Sequence, residues 1–309
     1  MKALLQKSCK DCTKSSIETY YYTIRGLAKL AGLDAIPTHP RWITESVLKK
    51  VKALKSLVST KNMALAGLKA LRAYGVTGAK LDKWSKVVSD TSESYSKVRS
   101  KQERTDREAK NWPKGGYKAI SRLADELYQE DAAYILKKAP AKISYAELWR
   151  LARWFVILFY SKHALRGDLG DVQIKKKGQN YIVKKGKGWH VHIGNHKTVR
   201  AHGAIDLKLD PKVSAALDQY LPYLRAKTNH GYLLSTKRYG NRMLRKDMMA
   251  LLRNTTHDRL GKRIGVQMIR VMKTTAHLKG IDQAAELRRE LAHGPGMQLK
   301  YVSRPVGRS

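Results

Sequence analysis

Acidic residues are scarce in this chain: 25 Asp and Glu stand against 62 Lys and Arg, a formal net charge of +37 over 309 residues. The carboxylates are scattered, so the clustered acids with which metal-dependent nucleases hold divalent ions are missing. No segment reads GxxxxGK[ST], which excludes nucleotide hydrolysis of the P-loop kind. No run approaches eighteen consecutive apolar residues, and the start "MKALLQKSCKDCTKSS" has too short an apolar segment for a secretory signal. The expectation is an intracellular protein that is not secreted and has no membrane partner. Cysteine is nearly absent. Cys9 and Cys12 form one CxxC with no second pair to complete a four-ligand zinc site, and two free thiols are expected. Internal repeats are lacking, as is low-complexity sequence outside one charged stretch.

What is present is basic charge from Lys2 to Arg308 and 42% hydrophobic residues, enough for packed cores and for two domains. That much charge calls for a polyanionic partner, DNA or RNA before a membrane. Helical spacing of Ile17, Tyr20, Tyr21, Ile24, Leu27 and Ala31, after a capping-box pair Ser15 and Glu18, predicts a first helix ending at Gly32. "TESVLKKVKALKSL" and "STKNMALAGLKALRAYG" repeat the pattern. Residues 1–90 therefore read as a helical DNA-binding domain. From Asp90 to Gly116 aliphatic residues thin out and charges crowd, so 91–116 reads as a linker.

Residues 117–309 read as a second domain, opening with helices. A capping-box pair at Ser144 and Glu147 precedes the strongly apolar "ELWRLARWFVILFYSKHAL", a helix that must be buried. The period then changes to two: Val172 and Ile174, "NYIVKK", "WHVHIG" with Trp189, Val191 and Ile193 on one face, and "AIDLKL" predict a small antiparallel sheet. Helical spacing returns in "PKVSAALDQYLPYL", "NRMLRKDMMALLRN", "IGVQMIRVMKTTAHL" and "DQAAELRRELAH". The fold class is mainly α with a small antiparallel β-sheet, an α+β domain behind a helical one.

An enzyme of this composition acting on DNA must handle phosphate with cationic side chains and a covalent nucleophile. Four segments in order then resemble the tyrosine recombinases, or phage-type integrases, over about Arg104 to Val302. "HALRGDLGDVQI" resembles that family's first box and places its first arginine at Arg166. "WHVHIGNHKTVRAHGAIDLKL" resembles its β-hairpin, with the lysine at Lys197. "IGVQMIRVMKTTAHL" resembles its second box, here Gln267-Met-Ile-Arg270. "LAHGPGMQLKYV" resembles its third, with His293 and then Tyr301. "RTDREAKNWPKGG" is similar to the segment before the catalytic domain in recombinases of algal mobile elements and large DNA viruses.

The resemblance implies an integrase-like catalytic domain that needs no metal, ATP or other cofactor. Tyr301 would attack a DNA phosphorus to give a 3′-phosphotyrosine, with Arg166 and Arg270 on the non-bridging oxygens. Lys197 would protonate the leaving 5′-oxygen, and His293 would donate to the phosphate. The partner would be double-stranded DNA, with two to four copies assembling on it and an accessory protein bending it. A mobile or viral element is the implied setting.

Departures accompany the match. Gln267 stands where a His or Lys is usual, and a carboxamide can donate a hydrogen bond but carries no charge. His293 and Tyr301 are eight positions apart, one fewer than the commonest spacing, and the acid after the first arginine is Asp168 rather than residue 169. "VSRPVGRS" is too short to serve as an exchanged helix, so copies would touch elsewhere. Lys184, Lys185 and Lys187 rival Lys197, and Arg263 and Lys273 rival Arg270. Tyr20–Tyr22 reads as packing or backbone contact. Supercoil relaxation, hairpin telomere resolution, an inactive DNA-binding protein of the same fold and a basic packaging protein remain open alternatives.

Overall fold

In the computed structural model the first hundred residues form five α-helices, three of them capped by a Thr or Ser side chain. Residues 1–175, 178–277, 291 and 301–302 are described. The chain divides into two units, Met1–Lys101 and Gln102–Ser309. Unit one carries α1 (Lys2–Ser8), α2 (Lys14–Leu30), α3 (Glu45–Lys52), α4 (Leu57–Ala73) and α5 (Ala79–Ser100). The cap of α2 is Thr13, whose hydroxyl accepts from Ser16 N at 3.2 Å. The expected pair Ser15 and Glu18 therefore lies inside the helix, displaced two positions from the cap. Leu5, Ile24, Leu27, Ile43, Val51 and Leu71 are wholly buried where these helices meet. Gly67 on α4 lets the Trp84 ring of α5 lie against the backbone, since a Cβ there would fall 2.2 Å from it.

Between α1 and α2 the chain reverses so tightly that the Cα atoms of Cys9 and Cys12 are 5.4 Å apart, and their sulfurs are bonded. This corrects the expectation of two free thiols.

The charged stretch after Asp90 contains more regular structure than a linker would. α5 runs through it to Ser100, with Glu93 and Lys97 paired at 2.7 Å one turn apart. A Thr105–Glu108 capping box then starts α6 (Asp106–Asn111) in unit two.

Unit two is built on α9 (Tyr145–Lys162), whose expected Ser144–Glu147 capping box is present and whose Phe155, Phe159 and Tyr160 are buried. Around it pack α7 (Lys118–Leu127), continued through a wide π-turn into the short α8 (Ala133–Ile135), and α11 (Pro211–Lys227). The sheet has order β1 (Asn180–Lys185), β2 (Gly188–Ile193), β3 (Ile205–Lys208), antiparallel throughout, with Ile182, Val191 and Leu207 in register. Trp189, Val191 and Ile193 share the buried face, as their alternation predicts. Val172 and Ile174 do not form a strand. Gln173 between them makes isolated bridges to Tyr181 and Tyr232.

The four-residue α10 (Val199–His202) links β2 to β3. α12 (Arg245–Leu260) and α13 (Val266–His277) complete the described elements, and most of "DQAAELRRELAH" lies outside the described residues. The architecture is mainly α with one small three-stranded antiparallel sheet, the class read from the sequence.

Candidate active site

Arg166 follows the end of α9, and its placement begins with that buried helix. The Tyr160 hydroxyl, in the last turn of α9, donates to the Arg166 carbonyl at 3.0 Å. The chain then tightens into a 3-10 turn, Gly167–Asp171, on which the N-terminus of α12 sits closely. Gly170 permits that approach: a Cβ there would lie 2.6 Å from Arg245 Cα. Asp168 is 2% exposed, and Arg245 Nη1 stands 2.9 Å from its Oδ1. Burial pushes the Asp168 carboxyl above its usual range, while the cations Arg245 and Arg166 pull against that rise. The direct ionic partner of Asp168 is thus Arg245, and Arg166 is felt through space.

The half-buried Arg166 guanidinium reaches across to the loop after β2, where Nη1 donates to Thr198 Oγ1 at 2.9 Å. Lys197, the residue before Thr198, is exposed. Its rivals lie at the far end of the hairpin, where Lys185 pairs with Gly188 around the turn at Gly186 and Lys187. A six-residue strand spans about 17 Å even before the loop is counted. Lys184 is also engaged, with Nζ 2.8 Å from Asp218 Oδ1.

On α13, Arg270 is 3% exposed, on the face that also buries Val266, Ile269 and Lys273. Its Nη2 donates to the Leu291 carbonyl at 2.8 Å. Its guanidinium carbon lies 5.1 Å from the centre of the Tyr301 ring, close enough for a cation–π contact. Burial lowers the Arg270 pKa to about 10. Tyr301 opposes this shift, and the positive charge of Arg166 adds to it. Arg166 and Arg270 are therefore near enough to sense each other. Lys273, one turn on, is buried with Nζ donating to the Lys162 carbonyl at 2.6 Å, which engages it in structure. Gln267, one turn before Arg270, is exposed, and so is the rival Arg263. His293 lies outside the described residues.

Four of the residues read from the sequence thus gather in unit two: Arg166 and Asp168 at one turn, Arg270 and Tyr301 beside one another. Lys197 stands next to the residue that Arg166 grips. Sequence reasoning missed Arg245, His196 and Thr198. Arg245 carried no signal, being one of many basic residues at the start of an amphipathic helix. The "NHKT" segment was read for its lysine alone. The Tyr20–Tyr22 cluster belongs to unit one, where Lys2 lies 4.8 Å from the Tyr21 ring centre and Lys69 lies 5.5 Å from that of Tyr20.

Among the described residues no group of three or more His, Cys, Asp and Glu side chains could hold a metal ion. No helix among them is long and apolar enough to cross a membrane.

No protein-family model matches the chain, and no curated protein sequence matches it. Among solved structures it is similar to one described as the crystal structure of XerA recombinase, at 12% identity over 98% of this chain and 92% of that one, with a TM-score of 0.40. A likeness that distant carries no argument about activity.

Proposed function

We propose that the chain is a DNA strand transferase that breaks and rejoins DNA through a 3′-phosphotyrosine on Tyr301. The observation that carries this reading is the meeting of Arg270 and Tyr301, thirty-one positions apart, at 5.1 Å within reach of the Arg166 charge. Two guanidiniums, one nearly dehydrated, form a site suited to the charge that builds on a phosphate under attack, because fixed cations act more strongly where water is excluded. The Tyr301 oxygen bonds to phosphorus and releases its proton to water. The bond from phosphorus to the 5′-oxygen breaks, and Lys197 supplies a proton to the leaving oxygen. His293 donates to a phosphate oxygen, and Gln267 positions DNA without carrying charge. The phosphotyrosine keeps the bond energy, so a second 5′-hydroxyl reverses the step without ATP.

Asp168 keeps the turn that carries Arg166 in place by holding Arg245. Residues 1–90 are assigned to gripping DNA and 117–309 to chemistry, with copies assembling on double-stranded DNA. The charge of +37 supports a polyanionic partner. Site-specific integration or excision is the finer reading.

Covalent trapping tests the proposal. The protein is incubated without divalent metal on a nicked duplex library of randomised sequence, in which cleavage near a nick sheds a short fragment and strands the adduct. A denaturant-resistant protein–DNA band is expected with the wild type and not with Tyr301→Phe. Absence of a band on DNA that the wild type demonstrably binds would leave a DNA-binding protein without strand transfer.

A further inference from the structure

The loop between β2 and β3 carries a chain of hydrogen bonds whose direction can be assigned. Arginine has only donors, so Thr198 Oγ1 accepts from Arg166 Nη1 at 2.9 Å. The carbonyl of Gly203 can only accept, so the hydrogen between it and His196, 2.9 Å away, sits on Nε2. In the neutral ring that leaves Nδ1 as an acceptor, facing Thr198 Oγ1 at 3.4 Å. That assignment directs the hydroxyl hydrogen of Thr198 to His196 Nδ1. Every group is then used once, in one direction: Arg166 to Thr198, Thr198 to His196, His196 to Gly203. His196 is 5% exposed, so the ring is held by packing as well as by these bonds.

The chain brackets Lys197. Residues on both sides of it are tied, one to Arg166 and one to Gly203 beyond α10, while the lysine itself is exposed. A long flexible side chain on a mobile loop would spend most of its time away from any one phosphate. A fixed backbone on both sides reduces that loss, and misplacement of about 1 Å can cost about a hundredfold in rate.

We infer that His196 and Thr198 are positioning residues that hold the Lys197 loop against Arg166, so that proton delivery and phosphate clamping share one geometry. This rests on the strand-transfer reading above. Neither residue touches the reacting atoms.

The test separates a positioning role from a structural one by changing the leaving group. Cleavage by Thr198→Val, Thr198→Ser and Lys197→Ala is timed on a nicked duplex with the ordinary 5′-oxygen and on one with sulfur at that bridging position. When the phosphorus–sulfur bond breaks, the thiolate leaves without a proton, so help from Lys197 is no longer needed. On the oxygen substrate Thr198→Val is expected to be slower by about thirtyfold, and Thr198→Ser, which keeps the hydroxyl, to stay within about threefold of wild type. On the sulfur substrate the deficits of Thr198→Val and Lys197→Ala should both shrink to about threefold or less.

A Thr198→Val deficit equal on both substrates, or no deficit on either, overturns the inference while leaving the strand-transfer reading intact. No wild-type adduct on either substrate sinks that reading itself, and the positioning role with it. Nitrogen NMR of His196 in the DNA-free protein checks the chain independently of catalysis. The Nε2–H tautomer is expected, and an Nδ1–H tautomer overturns the assignment.

Discussion

Replacing Arg245 by methionine should expose how much of the Asp168 turn rests on one ion pair. The carboxylate is 2% exposed and the arginine 41%, so the two deletions are unequal. Removing the arginine strands a charge that water cannot reach, whereas removing the carboxylate leaves a cation that water already reaches. The penalty has a ceiling, because a stranded carboxylate can take up a proton instead. From the ordinary value of 3.8, that escape costs about 4 kcal/mol at pH 7 and about 1.6 kcal/mol at pH 5. Arg166 still faces Asp168, so the expected loss for Arg245→Met lies below the ceiling, at about 2–3 kcal/mol at pH 7.

The sign with pH follows from the raised carboxyl. A group whose pKa is higher when folded favours folding at low pH and loses that contribution as pH rises through the folded value. Removing Arg245 raises it further, so the deficit of the variant is full at neutral pH and shrinks on acidification. Asp168→Asn should cost no more than about 1 kcal/mol, and the double variant should resemble it. Urea unfolding of the four proteins at about pH 7 and about pH 5 measures all of this. An Arg245→Met variant as stable as wild type at pH 7, or a deficit equal at both pH values, would refute the reasoning.

Two further outcomes concern the cores. Gly67→Ala drives a methyl into the Trp84 ring and should destabilise unit one by about 1–3 kcal/mol, and an unchanged melting temperature would contradict that packing. His163 is buried, accepts from Asp210 N at 3.0 Å, and is held neutral, its pKa lowered to about 3 mainly by burial. A depressed folded value means stability present above the unfolded pKa of 6.5 and lost as pH falls towards 3, by up to about 1.4 kcal/mol per pH unit. His163→Gln should flatten that slope in paired unfolding curves, and parallel curves would show that the ring is not desolvated.

Much of the fold was legible because its signals are local. The α9 helix announced itself through a capping box and an unbroken apolar stretch, and β2 through the alternation of Trp189, Val191 and Ile193. Local signals also misled where two patterns compete. Ser15 and Glu18 have capping-box spacing, yet Thr13 takes the cap because the hydroxyl nearest the tight Cys9–Cys12 reversal meets the first unbonded N–H groups. The stretch after Asp90 looked like a linker because it has few aliphatic residues. α5 needs few there, since a charged helix can extend from a packed beginning at Trp84 and Val87.

Read alone, the chain yields the order of helices and sheet, through periodicities that depend only on near neighbours, and a charge of +37 that makes a polyanionic partner the expectation. It also singled out Arg166, Arg270 and Tyr301, by resemblance. Only the tertiary structure decided which lysine stands near the arginine, since Lys185 and Lys197 differ by which end of a hairpin they occupy. It alone showed that Asp168 answers to Arg245, and that Arg166 reaches Thr198. Those relations join residues far apart along the chain, and no spacing rule reaches them, because their distances depend on how α9, the sheet and α12 pack as solids.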